Sequence, residues 1–90
     1  SAIAPVGIQF FAEVPSQQCA NEIVSISQVA QNCLSAESQP AGDNLWTVAI
    51  TLCMTPVPQE IHASETVFQT WAQKLGGASK GWCISQNQAA

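Results

Sequence analysis

Apolar and polar residues alternate from Pro5 to Val14, with Val6, Ile8, Phe10 and Ala12 set against Gly7, Gln9, Phe11 and Glu13. This period of two predicts a half-buried strand, ended by Pro15, which cannot donate to a ladder. From Ser16 the period changes. Cys19, Ile23, Ile26, Ala30 and Cys33 recur at steps of four and three, which lays one apolar stripe along a helix expected over Ser16–Ser35. Ser16 is its N-cap. Turn formers crowd Ser38–Asn44 and predict a reversal, with Leu34–Gln39 reading as a short edge strand before it. Leu45–Met54 alternates again, and its β-branched middle suits a central strand. The prolines of Thr55–Gln59 favour extended backbone at the residues before them, so the second helix is expected from Ala63 to Leu75. Val67, Phe68, Trp71 and Leu75 form its buried stripe, and Gly76-Gly77 its stop. Ser79–Ser85 is a short last strand, and Gln86–Ala90 a polar tail.

The order β-α-(β)-β-α-β over residues 1–90 predicts a single α+β domain. Its architecture is an open-faced two-layer sandwich, with two helices on one face of a three- or four-stranded antiparallel sheet. With Leu34–Gln39 counted, the order matches the ferredoxin-like split βαβ unit; without it, the chain is a three-stranded βαβαβ. Trp46, Trp71 and Trp82 are expected between helices and sheet. The uncovered face is expected to carry Gln9, Phe11, Leu45, Ala49, Thr47 and Thr51, and to serve a protein partner or a second copy of the chain.

Composition narrows the function. Hydrophobic residues make up 47% of the 90, enough for a packed core, while only 9% are charged. Lys74 and Lys80 face six acidic residues, for a formal charge of −4. With no basic stripe to neutralise phosphates, a nucleic-acid role is set aside, as is attachment to an anionic membrane surface. No apolar run approaches the roughly 18 residues of a membrane helix. The chain opens SAIAPVG, without a signal peptide, and is read as the mature form of a secreted, extracellular protein.

Four cysteines in so short and Lys-poor a chain predict two disulfides rather than zinc, because spacings of 14, 20 and 30 contain no CxxC or CxxH pair. Over a continuous helix, Cys19 and Cys33 are about 21 Å apart, beyond disulfide reach. The ferredoxin-like order predicts Cys19–Cys83 and Cys33–Cys53, preferred because PAGDN reads as a hairpin turn. The three-stranded order predicts Cys19–Cys53 and Cys33–Cys83. Period-two counting puts Cys53 and Cys83 away from the helices, which leaves a Cys53–Cys83 bond as a third arrangement.

Candidate chemistry is sparse. His62 is the only histidine; it is two positions from Ser64 and flanked by Glu60 and Glu65, with no orienting third group and no Gly-x-Ser-x-Gly elbow. Glu13, Glu22, Glu37, Asp43, Glu60 and Glu65 are scattered, and the glycines form no phosphate-binding pattern. No catalytic residue, cofactor or metal site is assigned, and the chain is expected not to be an enzyme.

Cys19, Cys33, Cys53 and Cys83, taken with the element order, give the chain a resemblance to small secreted fungal proteins with a killer-toxin-like or ferredoxin-like sandwich, among them effectors and killer toxins. The resemblance implies a non-enzymatic, effector- or toxin-like protein that binds a host or competitor component. Two alternatives are a protease-inhibitor or prodomain-like module, presenting PVPQE or the C-terminal tail, and a dimeric small-ligand carrier with a tryptophan-lined cavity.

Overall fold

A computed structural model describes residues 4–85. The chain runs β1 (Val6–Val14), α1 (Gln17–Gln28), β2 (Cys33–Gly42), β3 (Leu45–Met54), α2 (Pro58–Lys74) and β4 (Ala78–Ile84). The fold is α+β, with one four-stranded antiparallel sheet in the order β2-β3-β1-β4.

Alternation in β1 does what its pattern predicts. Ile8, Phe10, Ala12 and Val14 are at most 1% exposed and face the helices. They lie opposite Leu52, Ile50, Val48 and Trp46 of β3, so cross-strand partners build a continuous apolar floor. The core closes over it with Ala20 and Ile23 from α1 and Ile61, Phe68 and Ala72 from α2. Phe10 and Phe68 meet as a tilted aromatic pair, ring centroids 6.2 Å apart. Such a pair contributes about 0.5–1.5 kcal/mol beyond the area it buries.

The first helix is shorter than its apolar period suggests. Ser16 is the N-cap, its Oγ accepting from the Cys19 N–H at 3.2 Å. Regular helix stops at Gln28, however, and a turn carries the chain to β2, with Ala30 N–H donating to the Ser27 carbonyl and Cys33 N–H to that of Ala30. Ala30 and Cys33 extend the period without belonging to the helix. Cys33 instead opens β2, which lies at the sheet edge and runs well past the expected Leu34–Gln39. Pro40 is tolerated there because an edge strand has a side with no ladder to supply. The β2–β3 reversal is a two-residue turn with Asp43 and Asn44 at φ 49° and 64°. These are residue types that tolerate the left-handed conformation a tight hairpin needs.

The second helix starts five residues earlier than expected, at Pro58 rather than Ala63. The fixed φ of Pro58 suits a first helical turn, where its missing N–H costs nothing. The buried stripe shifts accordingly: Ile61, Phe68 and Ala72 are buried, Trp71 and Leu75 half-buried, and Val67 is 59% exposed. The stop at Gly76-Gly77 is as expected. Gly76 adopts φ 83°, Gly77 N–H donates to the Ala72 carbonyl at 2.8 Å and Gly76 N–H to that of Gln73, a Schellman closure.

Gly77 is also where the chain crosses closest to β1. A Cβ there would collide with the Glu13 carbonyl and lie 2.8 Å from Val14 Cγ1. Gly77→Ala is therefore expected to destabilise the fold by about 1–3 kcal/mol, read as a lower urea midpoint with an unchanged m-value.

Candidate functional site

The sequence makes the four cysteines the expected framework of the domain. All four are unbonded in the structure. The expected Cys19–Cys83 pair is kept apart by register: Cys83 lies opposite Gln9, near the start of β1, while Cys19 Sγ sits 3.5 Å from the Leu75 carbonyl, beside the far end of that strand. Gln9 to Val14 alone spans roughly 16 Å. In the expected Cys33–Cys53 pair the backbones are neighbours, but Cys33 lies opposite Leu52, whose side chain faces the helices, and Cys53 lies opposite Gly7 on the other face. The alternative Cys53–Cys83 pair shares the helix-free face, with β1 between the two strands. Unfolded without reductant, the chain is expected to take four alkyl groups from iodoacetamide. In the native state Cys83, the most exposed of the four cysteines, should react first, as peptide mass mapping would show.

The residues assigned to a partner surface do share the helix-free face. Gln9 lies opposite Thr51, Phe11 opposite Ala49 and Glu13 opposite Thr47, with Leu45 at the hairpin end. Ser35, Glu37 and Gln39 of β2 continue the same rows. Phe11, Leu45 and Ala49 lie there among Gln9, Glu13, Thr47, Thr51 and the polar residues of β2, with Cys53 and Cys83 towards one end, a mixed composition suited to a sheet side turned towards water. Thr51 is only 7% exposed, since a central strand is flanked on both sides even without a covering layer.

The helix side holds a feature the sequence did not announce. α1 packs over β2 and β3, and α2 over β4 and β1. Between the two helices lies an apolar cleft of about 380 Å³. Phe10, Ile50 and Leu52 form its floor. Ile26, Ser27 and Ala30 line it from the α1 side, and Ala63, Ser64, Val67 and Trp71 from α2, with Phe68 at its base. Two causes combine. A 12-residue helix is about 18 Å long, whereas a 10-residue strand such as β3 is about 33 Å. In addition, Ser27, Ala30, Ala63 and Ser64 are too small to fill what α1 leaves open. The exposure of Ile26 and Val67 follows. Each is on an apolar face, but that face looks across an unfilled gap.

The polar side-chain groups on the lining residues are the Ser27 and Ser64 hydroxyls and the Trp71 indole N–H. Lys74 stands near one wall, its Nζ 5.2 Å from the Trp71 ring centroid, an attraction of about 0.5–1 kcal/mol where exposed. His62 and Ser64, considered together as base and nucleophile, open onto different surfaces. Ser64 faces the cleft, while His62 lines a second groove, between the start of α2 and β4, with Pro58, Ile61, Glu65, Trp82 and Ile84. Two positions along a helix turn a side chain through roughly 200°, so these two do not converge. The sequence signal for the cleft was available in retrospect: small residues at 27, 30, 63 and 64 beside the apolar Ile26 and Val67.

No protein-family model matches the chain, and no curated protein matches it in sequence.

Proposed function

We propose that this chain is a binding protein that takes a small apolar molecule into the cleft between its helices. The observation that carries the reading is the cleft itself, about 380 Å³ and walled almost entirely by carbon. That volume falls within the range usual for small-ligand sites, which are mostly apolar with a few polar groups fixing orientation. Burial of ligand surface is the driving force, at roughly 25 cal/mol per Å² removed from water. Ser27 and Ser64 offer one or two hydrogen bonds, and Trp71 a flat surface for an aromatic or planar aliphatic group. A lining without titratable side chains supports binding over catalysis. Among the functions the sequence suggested, the ligand carrier is the one with a cavity of its own, although one tryptophan lines it rather than three. The strand order, read β4-β1-β3-β2 from the other edge, supports assigning the fold to the ferredoxin-like type.

Titration with naphthalene and with 1-anilinonaphthalene-8-sulfonate tests the proposal. Both are expected to bind saturably, with quenching of Trp71 emission. Ala63→Trp, which fills the cleft from a solvent-exposed helix position, should weaken both by at least about tenfold, or 1.4 kcal/mol, with little change in melting temperature. A signal that fails to saturate, or that Ala63→Trp leaves untouched, would count against the cleft.

A further inference from the structure

The second groove borders an open sheet edge, and the two together have the geometry of a strand-capturing site. Ser85 N–H donates to the Gly7 carbonyl at 2.8 Å, so Gly7 and Ser85 form a hydrogen-bonded pair of the antiparallel ladder. By alternation Cys83 and Gln9 form the next, while Trp82 and Ile84, opposite Phe10 and Ile8, form the intervening non-bonded pairs. Their N–H and C=O groups therefore point away from β1. Among the described residues β4 pairs with no strand besides β1, so these groups offer a template for a further strand. The side chains of the same two residues, 42% and 46% exposed, stand on the helix face beside a groove of about 280 Å³ that α2 leaves next to them. The opposite sheet edge differs, since Pro40 and Glu37 interrupt β2 with the residue types that blunt an edge.

Glu65 selects the occupant. It falls between Ile61 and Phe68 on the inward stripe of α2 and is half-buried, where packing alone would call for an apolar residue. It lines the groove, and among the described residues the ion pair formed is Lys80 with Glu13, not one with Glu65. The whole chain carries a formal charge of −4. We propose that β4 and this groove capture an extended segment of a partner protein as a fifth strand, with apolar side chains against Trp82 and Ile84 and a lysine or arginine paired to Glu65. Backbone pairing along Gly81–Ile84 supplies affinity, and the groove supplies side-chain selection. The reading stands independently of the interhelical cleft.

Panning a displayed library of random octapeptides against the whole chain tests it. Enriched sequences are expected to alternate apolar residues with at least one lysine or arginine. A synthetic copy of the most enriched peptide should slow amide exchange at Trp82 and Ile84 by at least about tenfold. Ile84→Pro removes an outward N–H without touching the ladder to β1 and should abolish binding. Glu65→Gln, which leaves the edge intact, should weaken the peptide by about fivefold and erase the preference for basic residues on renewed panning. The proposal is overturned if nothing is enriched, or if the peptides protect amides elsewhere. It is equally overturned if sedimentation shows a dimer whose formation protects Trp82 and Ile84, which would give the edge to a second copy of the chain.

Discussion

The structure depends on a single row of side chains. Ile8, Phe10, Ala12 and Val14 alternate out of β1, between β3 on one side and β4 on the other, and every other element is placed by the need to cover them. Burying such a row takes a layer on one face only. The neighbouring strands contribute Val48 and Ile50 to the same side, while Gln9, Glu13, Thr47 and Thr51 fall on the other, so both helices must pack on one face. Among the described residues no second layer covers the opposite side. A domain this small keeps a thin margin of stability, and in this structure no disulfide adds to it. The margin rests instead on the quality of that one interface.

Coverage by two helices of unequal length is where the packing gives way to a site. α2 has 17 residues and α1 has 12, so the longer helix follows the sheet and the shorter one stops over β3. Extending α1 by one turn, or exchanging Ala30 and Ala63 for leucine, would close the gap with ordinary core. The small residues there leave apolar surface of Phe10, Leu52 and Trp71 open to the cleft at a cost in burial, and a protein keeping an apolar cleft gives up stability that a filled core would supply. That cost is the physical reason to read the cleft as a place for a ligand rather than as a packing fault.

Much of this architecture was legible in the residues. The alternation in β1 and β3, the Ser16 cap and the Gly76-Gly77 stop each rest on local chemistry and form where it puts them, whereas the reversal expected over Ser38–Asn44 narrows to Asp43–Asn44, with residues 38–42 in β2. The errors share a cause, which is that local signals were asked to mark ends. Ala30 and Cys33 kept the helical period by coincidence, and no glycine or proline marks the turn at Val29–Asn32, so α1 was overrun. Pro56 and Pro58 together have the local look of a break, although the second suits a first helical turn. The cysteine pairs failed for a tertiary reason. β4 begins beside Glu13, near the start of α1, but Cys83 sits at the strand's other end, beside Gln9. The cleft was less legible still, because its volume depends on how far apart two helices settle, which no single segment encodes.

Both openings on the helix side flank α2, and one property of that helix accounts for them. α2 carries its inward stripe, Ile61, Phe68 and Ala72, between two further rows. On one flank Ser64, Val67 and Trp71 meet the gap left by α1. On the other, His62 meets β4 beside Glu65 at the edge of the stripe, and β4 is a strand of seven residues with an irregularity between its pairings to Phe11 and Ala12. A helix wedged between neighbours of its own length would bury all three rows. Here α1 is shorter than α2, at 12 residues against 17, and on the other side α2 lies over the edge strand of the sheet, so the stripe that anchors the helix is buried while both flanks remain open. The two openings differ in lining: the α1 side is mostly apolar, which suits a small apolar molecule, whereas the β4 side is bordered by a sheet edge and an acidic residue, which suits a polypeptide. A single structural circumstance thus gives the domain two chemically distinct surfaces on one helix, separated by the width of that helix.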